Sequence, residues 1–135
     1  MISHKILLIK GGKTKNNIIA TEIEKAGYTL LSAKSTLETI RLIKMQKPCL
    51  VIMTCGLPFS VTSNTISRIR KISEVPILMI GERDCAAPML ESGVDAYLET
   101  PISDNVLVAR INAILRRRKY SKPPKKQEQK LVTYY

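Results

Sequence analysis

Histidine is almost absent from this chain: His4 stands alone, so neither a zinc site nor a His-based catalytic triad has the residues to assemble. Cysteine is scarce too. Cys49, Cys55 and Cys85 are odd in number and not spaced in metal-like pairs, which excludes a disulfide framework and suits a reducing cytoplasm. No apolar run approaches the ~20 residues needed to span a bilayer, so no membrane role is expected. The N-terminus runs directly into an apolar segment of strand length without a small-residue cleavage site, so no secretory leader is expected either.

Acid is the charge in short supply, with 11 Asp+Glu against 22 Lys+Arg and a net charge of +11. The excess is unevenly placed. Residues 1–115 hold 14 Lys+Arg against 10 Asp+Glu, whereas residues 116–135 hold 8 against 1. A block of like charge at the exit of a domain reads first as a solvated helix end and linker, and only second as a phosphate-contacting tail.

What is present is an alternation of two kinds of segment. Ile6 to Ile9, Tyr28 to Leu31, Leu50 to Met53, Pro76 to Ile80 and Ala96 to Leu98 are short apolar runs of strand length. Between them lie stretches with helical spacing. Lys13 to Ala26 carries Ile19, Ile23 and Ala26, with Gly27 where a C-cap is wanted. Ser35 and Glu38 form a capping-box pattern for a second helix that Pro48 stops. Val61 to Ile72 is a Ser/Thr-rich helix with Ile66, Ile69 and Ile72 on one side. Asp84 to Glu91 makes a short helix only if Pro88 lies in its first turn or the helix is broken. Ser103 caps a last helix through Leu107, Ile111 and Leu115.

Strands that are apolar without alternation, separated by helices, predict an α/β fold: a doubly wound five-stranded parallel sheet in the order 2-1-3-4-5. Residues 1–119 form this domain. Residues 120–130 read as a basic linker and 131–135 as the opening strand of a further domain.

Open parallel sheets place their chemistry at the carboxyl ends of strands. Thr54 holds that position on the third strand. Gly11-Gly12-Lys13-Thr14 follows the first strand and opens a helix, the setting of a P-loop. The first glycine such a loop needs would fall at Leu7, inside the strand, so the loop is too short to wrap a nucleotide's phosphates. A phosphate- or nucleotide-binding protein is therefore the weaker alternative.

The span Lys5 to Arg118 resembles the receiver domains of response regulators, most of all those of the OmpR-like winged-helix type. The resemblance rests on Lys5-Ile-Leu-Leu-Ile, Pro48-Cys-Leu-Val-Ile-Met, Gly56-Leu-Pro58, Val75-Pro-Ile-Leu-Met, Gly93-Val-Asp-Ala-Tyr97, Pro101 and Ala109-Arg-Ile-Asn-Ala-Ile-Leu-Arg-Arg117. Seven weak landmarks in order are jointly specific. They imply a CheY-like, flavodoxin-like fold and a part in two-component signal transduction.

The resemblance also implies a phospho-acceptor pocket, and there the chain departs from the pattern at every position. The acidic pair that holds Mg²⁺ is Lys10 and Gly11, the acceptor aspartate is Thr54, the phosphate-binding hydroxyl residue is Gly81, and the phosphate-pairing lysine is Thr100. An ammonium repels a divalent cation, and a threonine hydroxyl without a base is a poor nucleophile. The expectation is a degenerate pseudo-receiver, not an enzyme, with Mg²⁺ binding lost and no cofactor. Two readings of Lys10 stay open: it extends to solvent, or it stands in for the metal.

Tyr97 occupies the family's aromatic switch position, although Gly81 gives it no hydroxyl to follow and a half-buried strand tyrosine is the first reading. Asp95, Arg110 and Arg117 match residues that family members use to form a homodimer through helix 4, strand 5 and helix 5. The expected partners are thus a second copy, a signalling protein, and DNA only through a missing C-terminal domain. A stand-alone protein-binding adaptor is the alternative of a different class.

Overall fold

The computed structural model describes residues 4–9, 16–54, 56 and 58–120. Five strands, β1 (Lys5–Ile9), β2 (Thr29–Ala33), β3 (Leu50–Thr54), β4 (Ile77–Gly81) and β5 (Ala96–Glu99), form one parallel sheet in the order β2-β1-β3-β4-β5. The helices are α1 (Asn16–Lys25), α2 (Thr36–Gln46), α3 (Phe59–Ile72), α4 (Ala86–Glu91) and α5 (Asp104–Tyr120). The expected fold class and strand order are both observed.

The central strands lack polar alternation because both faces of the sheet are covered. Leu7, Ile9, Val51, Met53, Ile77 and Met79 face a core closed by Ile43 of α2, Ile66 and Ile69 of α3 and Met89 of α4. Their neighbours Ile6, Leu8, Leu50, Ile52, Leu78 and Ile80 face a second core closed by Ile23 of α1 and Leu107 and Ile111 of α5. A strand buried on both sides gains from an apolar residue at every position, so period-2 patterning disappears.

Helix ends follow their local chemistry. The Ser35 hydroxyl accepts from the Glu38 amide at 3.1 Å, while the Glu38 carboxylate accepts from the Lys34 amide at 2.8 Å, one residue ahead of the usual reciprocal bond. Gly27 has φ +98°, the left-handed geometry that follows a helix end at least cost to glycine. Pro88 falls in the first turn of α4, after a 3-10 turn at Arg83–Cys85. There its missing N–H removes no intrahelical bond.

Several boundaries differ from the sequence expectation, among them the start of α4, at Ala86 rather than Asp84, and β4, which runs Ile77–Gly81 rather than Pro76 to Ile80. β2 begins one residue later and ends two later, since its pairing with β1 runs from Lys5–Thr29 to Ile9–Ala33. α3 starts at Phe59 rather than Val61 and has Pro58 as its N-cap without a side-chain bond. α5 extends through Tyr120, one residue beyond the expected end of the domain. The start of the first helix at Lys13, the linker beyond Tyr120 and the segment 131–135 lie outside the described residues.

Candidate functional site

The carboxyl edge of the sheet brings three of the expected pocket residues together. Thr54 ends β3 opposite Ile80 of β4. Gly81 ends β4 opposite Glu99 of β5, and its carbonyl accepts from the Thr100 amide at 2.9 Å. Thr54, Gly81 and Thr100 therefore stand on three successive strand tips. Thr100 precedes Pro101 through a cis peptide bond. Lys10 and Gly11 follow in sequence the last residue of β1, Ile9, which pairs with Met53, but they lie outside the described residues, as do Gly12, Lys13 and Thr14.

Thr54 is 5% exposed, and its hydroxyl has no hydrogen-bond partner among the described residues. A buried hydroxyl in that state costs about 1–3 kcal/mol relative to a satisfied one. The other three buried threonines, Thr39, Thr62 and Thr65, belong to α2 and α3, and two of them return their hydroxyls to the helix backbone. Thr39 donates to the Ser35 carbonyl at 2.8 Å, and Thr65 donates to the Val61 carbonyl at 3.0 Å. Thr65 also meets Thr36 of α2 at 2.8 Å. At the strand tip the only side-chain donor or acceptor supplied by Thr54 and Gly81 is this one neutral oxygen.

Tyr97 is half-buried and packs beside Cys85 against the α2–α4 core. Its hydroxyl donates to the Glu82 carbonyl at 2.5 Å, which fixes the ring over the turn that leads into α4. Arg83 and Glu99 form an exposed ion pair at 3.4 Å on the same side, an interaction worth little alone.

Asp95, placed by sequence on a dimer face, sits at the opposite edge and is bound within the chain. Its Oδ2 accepts from Arg70 Nη2 at 2.6 Å and from the Ile77 amide at 2.7 Å. Arg70 further donates to the Val75 carbonyl at 2.6 Å and the Gly93 carbonyl at 3.1 Å. The sequence gives no sign of this arrangement, because Arg70 occurs in a basic stretch that closes a helix. Arg110 and Arg117 lie on the exposed side of α5, and Arg117 has a contact of its own.

No protein-family model matches the chain. It is 32% identical over 123 residues to the phosphate regulon transcriptional regulatory protein PhoB of Pseudomonas aeruginosa, across 87% of this chain and 54% of that protein. To the transcriptional regulatory protein AfsQ1 of Streptomyces coelicolor it is 30% identical over 115 residues, across 83% and 51%. A solved two-component response regulator from Clostridium difficile shares the fold with a TM-score of 0.74 at 27% identity, across 88% of this chain and 100% of that one.

The chain carries a CheY-like receiver domain. It spans about half the length of the curated relatives it matches. In this receiver the strand-tip positions hold a threonine, a glycine and a second threonine, and the edge of β5 holds a tyrosine tied to the backbone. Among the described residues no group of three or more His, Cys, Asp or Glu side chains could hold a metal, and no helix is long and apolar enough to cross a membrane.

Proposed function

We propose that this receiver works without phosphorylation, as a signalling and dimerisation module of a cytoplasmic two-component-type transcription regulator of the OmpR-like class. The observation that carries the proposal is Thr54: the tip of β3 presents a buried, unpartnered hydroxyl where aspartyl chemistry needs a carboxylate. Gly81 beside it offers no hydroxyl, and Thr100 offers no ammonium.

Mg²⁺ does not fit this donor set. The ion keeps near-octahedral oxygen coordination and is held through one or two carboxylates, and Thr54 and Gly81 supply none. Lys10 and Gly11 supply none by residue type. A phosphoryl group placed here would also lack the countercharge that stabilises its oxygens. On this reading the domain holds one conformation or responds to a partner, and it influences DNA only through a further domain of a longer chain. Self-association through α4, β5 and α5 has Arg110 available on its exposed face, while one oxygen of Asp95 is already engaged with Arg70.

The test is incubation with acetyl phosphate and Mg²⁺ followed by intact-mass measurement. An unchanged mass is expected; the gain of one phosphoryl group overturns the proposal.

A further inference from the structure

The side of the molecule formed by α2 and α3 carries apolar surface and positive charge together, and neither is used by the strand-tip pocket. Of the eight large hydrophobic residues left exposed among the described residues, Leu37, Met45, Phe59, Val61 and Ile72 belong to these two helices. Met45 is 70% exposed and Ile72 39%. Both helices end at the amino edge of the sheet, and there the surface dips into an open depression of about 590 Å³. Ile43, Pro48 and Val75 form an apolar floor, Ile72 is one wall, and Lys44 and Lys47 stand on the rim.

The charge around the depression is one-sided. Arg41, Lys44 and Lys47 on the α2 side and Arg68 and Lys71 on α3 form no ion pair among the described residues. The acid of α2, Glu38, accepts from the Lys34 amide, and Glu74, just past α3, has a contact of its own. A lysine in the last turn of a helix is favourable for the helix dipole. Ile72, half-exposed on the wall of the depression, gives the fold no such benefit, and apolar surface held beside a hollow of this kind suits a partner's side chain.

We infer that the amino-edge depression between α2 and α3 is a docking site for an acidic amphipathic segment of a partner protein. An apolar side chain of that segment fills the hollow over Val75, and its carboxylates meet Lys44 and Lys47. Charge selects this occupant. A second copy applied through the same face would set these cations against their own kind. Nucleic acid would meet the cations but has no aliphatic side chain for the floor. The site lies at the opposite edge from Thr54, so the inference stands whether or not the receiver is phosphorylated.

The test uses the isotope-labelled full chain at physiological ionic strength. The probes are a synthetic Glu/Leu peptide with leucines at i, i+3, i+4 and i+7, a scramble of identical composition, and a short duplex DNA. Amide shifts at Ile43, Lys44, Ile72 and Ser73 are expected with the amphipathic peptide alone. The Lys44→Glu/Lys47→Glu variant is expected to weaken binding by about tenfold or more. Ile72→Ser, on the wall of the depression and already 39% exposed, is expected to weaken it with no loss of charge. Absence of binding, equal binding of the scramble, shifts confined to α1, α4 or α5, displacement by the duplex, or unchanged affinity in both variants would overturn it.

Discussion

Arg70 and Asp95 meet at 2.6 Å across the start of β4, and their pairing joins three elements that are distant in sequence. The guanidinium leaves the end of α3 and donates to the carbonyls of Val75 and Gly93 as well as to the carboxylate. The carboxylate, from the start of β5, also accepts the first amide of β4. Arginine suits this position because its donors lie in a fixed planar fork, whereas a lysine offers one compact charge.

Arg70→Ala is therefore expected to destabilise the domain by about 1–3 kcal/mol, the range for losing charge-assisted hydrogen bonds and leaving their acceptors unmet. Arg70→Lys should recover less than half of that. Urea unfolding of the three proteins measures both. An Arg70→Ala midpoint equal to that of the parent would show the cage to be ornamental.

Thr54 makes opposite predictions for two substitutions. Thr54→Val keeps the shape and removes the buried hydroxyl, so stability is expected to stay level or rise by up to about 1 kcal/mol. Thr54→Asp buries a carboxylate in the same space and is expected to cost several kcal/mol near neutral pH. It should also remain unphosphorylated by acetyl phosphate, because Gly81 and Thr100 are unchanged and Lys10 and Gly11 still add no carboxylate beside the new one. Denaturant midpoints and intact mass decide these points, and a phosphorylated Thr54→Asp protein would show that one residue alone had silenced the site.

The sheet was legible because its message is repeated. Each central strand is apolar throughout, each is followed by a helical period, and only a parallel sheet buried on both faces satisfies five such units. The second helix was legible down to its cap, since Ser35 and Glu38 act locally. Less visible were features set by distant partners. The length of β2 depends on its register with β1 rather than on the weak strand preference of Ser32 and Ala33. The Ser/Thr-rich start of α3 looked poorly helical, yet Thr65 bonds back to the Val61 carbonyl within the helix, as such residues do when they sit mid-helix. At the site, the identities of Thr54, Gly81 and Thr100 could be read directly. The engagement of Asp95 could not, because its partner lies 25 residues away.

Tyr97 is expected to behave as an anchor. Tyr97→Phe removes the bond to the Glu82 carbonyl while keeping the ring packed, at a cost of about 0.5–1.5 kcal/mol. The loss should be local, so amide exchange should quicken in the turn from Glu82 to Cys85 more than in β1 or β3. Exchange that quickens equally across the sheet would mean the ring supports the whole core and not that turn.

Tyr28 sets an alkaline limit on the fold. Its hydroxyl donates to Asn112 Oδ1, linking the entry to β2 with α5. Burial raises its pKa above the ordinary value of 10.0, with the negative charge of Cys49 as the smaller cause. The fold thus favours the neutral phenol, and a phenolate could no longer donate to Asn112. The sign follows from linkage: the unfolded chain gives up this proton first, so the contribution is fully present below pH 10.0 and fades as pH rises through the higher folded value. The difference in unfolding free energy between the parent and Tyr28→Phe should shrink over that alkaline interval. Cys49→Ala should bring the phenol's titration partly back toward 10.0, but not fully, because burial is the larger cause. A phenolate absorbance titration reads the shift, and a value at or below the ordinary one in the parent would contradict the packing of Tyr28 against the second core.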